Sequence, residues 1–174
     1  MKKFVPTLSI VLFPYAIAFV LYCIFSGFLM ESVFQSNAYF CLLMLVIIWI
    51  VALISSVSIC AVSLVRKWDF VELSHTNMLI KTSSIPAYLV IFVVGTACML
   101  TIFTFAISAI LMILDVMSIV LSGLIGIAAV KRSYDSSAIS AKEMILYGAL
   151  QFVFCADVVT SIIVFRKSKK MCER

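Results

Sequence analysis

The chain has 174 residues, of which 65% are hydrophobic and 12% charged, with a formal net charge of +5. Soluble domains carry roughly 45–50% apolar and about 25% charged residues, so a water-soluble fold of this size is excluded. The cations cluster at the ends of apolar runs rather than in one patch, which excludes a nucleic-acid surface and marks topology determinants of a membrane protein.

The apolar runs are continuous and do not alternate with period 2, so helices are expected rather than a barrel. The reading is an all-α, polytopic integral membrane helix bundle in one transmembrane domain. Five hydrophobic helices are expected, at about 5–29, 39–65, 86–111, 114–130 and 141–166, with four or five full crossings. The first follows Lys2 and Lys3 and contains Ala16-Ile17-Ala18, the parts of a secretory signal peptide. The apolar run continues to about Met30, so an uncleaved first span is the expectation.

Residues 30–38 lack Lys and Arg and are expected outside. Residues 66–85 carry Arg66, Lys67 and Lys81 and are expected as a cytoplasmic interfacial loop, which places the N-terminus in the cytoplasm. Ser83 or Ser84 before Pro86 resembles a helix cap followed by a first-turn proline.

From Ile85 to Val130 the only charge is Asp115. At 1.5 Å per residue this run is about 65–70 Å long, more than twice a bilayer core. It must fold back, and the sequence points to Asp115 as the turn and as the cap of the fourth helix. Charge counting then conflicts with span length. If 86–111 and 114–130 both cross, a crossing last helix carries Arg166, Lys167, Lys169 and Lys170 outside. If 114–130 is re-entrant, Lys131 and Arg132 lie outside instead. The last helix itself has a defined start. Ser140 and Glu143 form a capping-box pattern, flanked by Ile139 and Met144 at staple positions.

Asp157 is the leading candidate for a special role. On a continuous helix, Tyr147, Gln151, Asp157 and Ser161 share a sector about 120° wide, so one face carries a phenol, an amide, a carboxylate and a hydroxyl. An acid in a span faces the bundle interior or a wet cavity. No Lys or Arg is expected in the middle of any span to pair with it. It reads either as a hydrogen-bonded tie between helices or as part of an ion path. Asp115 is a helix cap in one reading and the second carboxylate of a cation site in the other.

Asp69, Glu72 and His75 have the spacing of weak metal-ligand candidates. Their apolar neighbours favour an interfacial segment instead. Ala97, Thr101, Thr104 and Ser108 form one seam of small and hydroxyl residues; Ser118, Ser122 and Gly126 form another. Packing is the preferred role of both, with a pore lining as the alternative. Ser55, Ser56 and Ser58 suit either. Five of the six cysteines lie in apolar runs and no CxxC occurs. Buried thiols are preferred over a Cys23–Cys41 disulfide.

There is no Walker, GxSxG, HExxH or dinucleotide-binding pattern. No catalytic residue and no cofactor is expected. The expected partners are the lipid bilayer and a membrane-protein partner or a second copy, not nucleic acid. The functional expectation is a small non-catalytic accessory component of a membrane complex, in a bacterial cytoplasmic membrane. A small transporter or channel around Asp157 is the first alternative, and a membrane-embedded enzyme the second.

Overall fold

The computed structural model describes residues 4–27, 31, 37–100 and 104–173. These form α1 (Phe4–Ser26), α2 (Ala38–Val65), α3 (Phe70–Met99), α4 (Phe105–Asp135), α5 (Ala141–Leu150) and α6 (Ala156–Cys172), with no strand among the described residues. The fold is an all-helical bundle, and α1 to α4 are each long and apolar enough to cross a membrane.

The first two helices follow the sequence expectation closely. Asn37 caps α2 by accepting from the Tyr39 N–H at 3.0 Å, and Arg66 ends it. The next boundary differs. Residues 66–85 are not an interfacial loop, because Asp69 accepts from the Glu72 N–H at 3.0 Å and α3 begins at Phe70. The helix then runs through Pro86. Proline removes one N–H from the ladder, and membrane helices tolerate this where neighbours serve the freed carbonyls. The carbonyl that Pro86 frees is that of Thr82; one residue on, the Tyr15 hydroxyl of α1 donates to the Ser83 carbonyl at 2.7 Å. Ser84 Oγ, in the same turn, donates to the Ile80 carbonyl at 2.9 Å.

The fold-back also lies elsewhere. The chain reverses between Met99 and Phe105, and Asp115 sits inside α4 rather than at its cap. The Thr104 hydroxyl donates back to the Cys98 carbonyl across this turn at 2.8 Å. Thr101 of the predicted first seam lies outside the described residues. Helices α3 and α4 then run antiparallel along their whole length. Ser108 Oγ meets the Gly95 carbonyl at 3.0 Å near the turn. Arg132 donates to the Trp68 carbonyl at 3.1 and 3.2 Å at the far end.

The largest correction concerns the last hydrophobic segment, expected as one helix over 141–166. It starts where expected: both capping-box bonds between Ser140 and Glu143 are made, and Met144 packs with Ile139. The helix then stops at Leu150, and α6 returns alongside α3 and α4. Lys167 near the end of α6 pairs with Glu143 at the start of α5. The Phe165 ring lies 5.1 Å from His75 near the start of α3. Ser168 Oγ is 3.0 Å from Ser133 Oγ near the end of α4. The segment is therefore a helical hairpin, with both ends at the same end of the bundle.

This geometry removes the charge conflict. The ends of α2 and α4, the hairpin start and the α6 terminus all lie together, bringing Arg66, Lys67, Lys131, Arg132, Arg166, Lys167, Lys169 and Lys170 to one end of the molecule. Four helices are long and apolar enough to cross, and the segment that folds back as a hairpin is 141–172 rather than 114–130.

The hairpin seats on the predicted Ser118, Ser122, Gly126 seam. At Gly126 an added Cβ would overlap the Gln151 amide, and at Gly123 it would lie 2.6 Å from the Phe152 ring. Small residues there allow the tip to approach the α4 backbone. The seam is a packing surface, and Ser56 Oγ of α2 adds a 2.5 Å bond to the Leu121 carbonyl beside it. Cys23 and Cys41 are both buried thiols.

Candidate functional site

The site is built where the hairpin tip meets α3 and α4. Along α3, Ser74, Asn77, Lys81, Ser84 and Tyr88 recur at alternating steps of three and four residues, a spacing that aligns them on one helix face. All five are buried. Lys81 lies on the stripe's centre, about 16 Å from the start of α3 at 1.5 Å per residue.

Lys81 Nζ lies 2.8 Å from Asp157 Oδ2, and the two side chains are 1% and 5% exposed. The same ammonium lies 3.4 Å from Ser122 Oγ and 3.3 Å from the Gln151 carbonyl. An ammonium has three hydrogens to donate, so each finds an acceptor, drawn from α4, the hairpin tip and α6. Asp157 Oδ1 accepts from the Val158 N–H at 2.8 Å. The carboxylate thus sits in the first turn of α6, where the helix dipole favours negative charge. A buried pair of this kind gains little over an apolar pair. Losing one member, however, leaves a bare charge and costs about 3–5 kcal/mol.

The tip that delivers these groups is strained. Cys155 has φ 64° and ψ −39°, and the Ala156 N–H donates to the Phe154 carbonyl at 2.8 Å. That is a γ-turn in its rare positive-φ form, occupied by a residue other than glycine. Conformations of this sort cost of order 1–3 kcal/mol and persist only when surrounding contacts enforce them. The contacts are those of Gln151, Phe152 and Asp157 on either side of the turn.

Several buried oxygens in the bundle interior make no hydrogen bond among the described residues: Asn77 Oδ1, Gln151 Oε1, Ser118 Oγ and Asp115 Oδ1. Gln151 Nε2 does reach Thr160 Oγ1 at 3.4 Å. The Tyr88 phenol lies beside Ser118 and Ser122 and within electrostatic reach of both Asp115 and Asp157, while its ring meets Phe154 edge-on at 5.9 Å.

The structure brings together three of the residues on the expected polar face and separates the fourth. Gln151, Asp157 and Ser161 are buried, the last donating to its own helix at the Val158 carbonyl. Tyr147 lies on the other arm of the hairpin, with Lys167 Nζ 5.5 Å from its ring centre. The break between α5 and α6 ends the shared helical face. The expectation that Asp157 lacks a cation within the spans is wrong, since Lys81 belongs to a spanning helix. Asp115 lines a separate cavity between α3 and α4, nearer the 99–105 turn. Asp69 is engaged as a helix cap and His75 packs on Phe165. Among the described residues, no three His, Cys, Asp or Glu side chains converge as metal ligands would.

Outside the spans, Lys167 and the Ser140 N–H hold the Glu143 carboxyl down at about 2. Glu143 in turn raises the Lys167 ammonium above its ordinary value. This pair closes the open end of the hairpin, as Lys81 and Asp157 close its tip.

Lys81 is the residue of this buried cluster that the sequence alone did not point to. The signal was present in the buried-polar spacing from Ser74 to Tyr88, and was hidden by reading Pro86 as a helix start.

Residues 3–170 match the model of a family described as a family of unknown function (DUF6652). No curated protein and no solved structure matches the chain.

Proposed function

The chain belongs to the DUF6652 family, and we propose that it is a small, non-catalytic, multi-pass membrane component that works by packing against a partner in the bilayer. The observation that carries this reading is the saturation of the Lys81–Asp157 pair. All three ammonium hydrogens and both carboxylate oxygens have partners within the chain. A saturated buried pair fixes helices in place and leaves no free group at its centre to relay a charge. The hairpin is then a pinned structural element, and the working surface is the outside of the bundle. By the positive-inside tendency the basic end faces the cytoplasm. On this reading the N-terminus and the hairpin opening face the cytoplasm. The test is purification from native membranes in mild detergent. Stable, stoichiometric recovery of a second membrane subunit supports the reading; a monodisperse monomer that carries the full activity of the native membrane refutes it.

A second reading has its own observation. The oxygens of Asn77, Gln151, Ser118 and Asp115 are buried and unbonded among the described residues, and buried polar atoms of this kind mark ion or water paths in membrane proteins. Proton or cation flux into liposomes tests it. Flux that Asp157→Asn abolishes favours a transporter; flux unchanged by the substitution removes Asp157 from any path.

A further inference from the structure

Among the described residues, Asp115 is the one acid deep inside a spanning-length helix that the fold leaves without a cation. It lies about 15 Å from the start of α4 at 1.5 Å per residue, which is about half the depth of a hydrocarbon core. Its Oδ1 is buried and unbonded among the described residues, and the side chain lines a cavity of about 300 Å³ between α3 and α4. Gly95, Thr96, Ser108 and Ala109 are among the small residues that line it. Phe92 and Met112 line it too, and both are exposed on the outer surface of the bundle.

Three facts fix what fits there. The small residues leave room for another helix backbone to come close, as at interhelical seams in lipid. The carboxylate asks for a cation or strong donor, because an acid at this depth is costly alone. Finally, the chain cannot supply that cation. Residues 4–65 and 82–130 contain no Lys, Arg or His, and Lys81 is bound to Asp157. A second copy in the same orientation presents no basic group at the level of Asp115.

We propose that the α3–α4 groove docks a transmembrane helix of a different protein, one that carries a basic residue near mid-membrane and pairs it with Asp115. This deepens the accessory-component reading and rests on it. Helix docking accounts for the groove, the small residues and the unpaired carboxylate together.

The experiment uses the full chain in lipid vesicles, labelled at Cys172, and synthetic Leu/Ala-rich single-span peptides. One guest carries a single central Lys, and the other has Leu at that position. Association is read by energy transfer. Wild type binds the Lys guest about tenfold more tightly than the Leu guest, in line with polar pairing between membrane helices. Asp115→Leu removes that preference. Gly95→Ala weakens both guests by narrowing the groove while keeping the charge; an added Cβ there meets only Leu111 Cδ1, at 3.9 Å, so the fold has room for the methyl group. Equal binding of the two guests, or a preference that survives Asp115→Leu, overturns the proposal. So does Asp115-dependent binding of tetraphenylphosphonium without binding of the Lys guest, which makes a small lipophilic cation the occupant. In native membranes, a partner retained by Asp115→Leu keeps the accessory reading and removes this groove as its docking site. Absence of any native partner, with the guest preference intact, removes the accessory reading and leaves the helix-docking chemistry of the groove standing.

Discussion

Lys81 of α3 and Asp157 of α6 are 76 positions apart in sequence, yet their charged atoms lie 2.8 Å apart in the bundle interior. The pair couples a spanning helix to the return arm of a hairpin. It is the one buried contact that ties both the hairpin tip and α6 to α3 by charge among the described residues. Lys81→Met alone leaves a buried carboxylate unpaired, and Asp157→Leu alone leaves a buried ammonium. Each is expected to destabilise the fold by about 3–5 kcal/mol. The double variant removes both charges and should recover most of that loss, since apolar replacements of buried pairs are often neutral. Unfolding titrations in mixed detergent micelles give the four free energies of the cycle. Strictly additive single effects would show that the two groups do not act as a pair.

The seat of the hairpin makes a steric prediction. Gly126→Ala puts a methyl group into the Gln151 amide, which is itself buried and cannot swing into solvent. Overpacking of this type costs about 1–3 kcal/mol. Shortening the opposing side chain restores the space, so Gly126→Ala with Gln151→Ala should be more stable than Gly126→Ala alone. The same unfolding assay reads both. If the second substitution adds to the damage, Gln151 is held by its hydrogen bonds more than by its fit against Gly126.

These two sites also show where the sequence was readable. The span of α2 and the start of α5 follow from local signals: the apolar length after Asn37 and the Ser140–Glu143 box. The turn between α3 and α4 does not, because apolar residues continue on both sides of it and hydropathy has no contrast there. Lys81 was assigned to a loop because proline usually marks a helix start. In this fold a tyrosine from another helix supplies a donor beside Pro86, a fact no local window contains. The break over 151–155 is harder still. It has neither proline nor glycine, and the residues it packs against, Gly123 and Gly126, are distant in sequence. Asp157 was recognisable as a residue that needs explaining; its partner was a matter of tertiary structure.

The tip of the hairpin carries a backbone prediction. Cys155 holds φ at 64°, a region where glycine rests without penalty. Cys155→Gly should therefore stabilise the protein, by about 0.5–2 kcal/mol after allowing for the greater chain entropy of glycine. Cys155→Val should do the reverse, because a branched Cβ fits that region worst. Thermal unfolding of the two variants gives the sign directly. A stabilising valine would mean that the turn is not formed in the bilayer.

The open end of the hairpin should respond to acid. The Glu143 carboxyl has its folded-state value lowered from 4.5 to about 2, chiefly by the hydrogen bond from Lys167. A lowered carboxylate contributes stability above its unfolded value and loses it as pH falls through the folded one. The tie between α5 and α6 is thus complete at neutral pH and weakens between about 4.5 and about 2. Lys167, whose value is raised from 10.5, stays charged throughout that window. Glu143→Gln should lower the unfolding midpoint at neutral pH, and its difference from wild type should shrink as the pH drops toward 2. A difference independent of pH would assign the loss to the capping bonds alone.

The path of the last segment is open to a topological test. A single crossing over 141–166 would put Ser137 and Cys172 on opposite sides of the membrane. The hairpin puts both at the basic end, where both are exposed. In a chain whose other cysteines are replaced by serine or alanine, Ser137→Cys and Cys172 should react with a membrane-impermeant thiol reagent from the same side. Cys155 at the tip is exposed on the bundle surface, but it lies about 15 Å along α5 from the hairpin opening at 1.5 Å per residue. It should therefore resist the impermeant reagent and react with a lipid-soluble one. The basic clusters supply the driving force for this arrangement. Lys131 and Arg132 before the hairpin, and Arg166 to Lys170 after it, each favour the same side. A crossing helix would have to carry one of these clusters across. Substituting the four cations of 166–170 by glutamine, without touching Lys131 and Arg132, removes that restraint. The proportion of Cys172 labelled from the opposite side should then rise only if the Lys81–Asp157 pair is also broken.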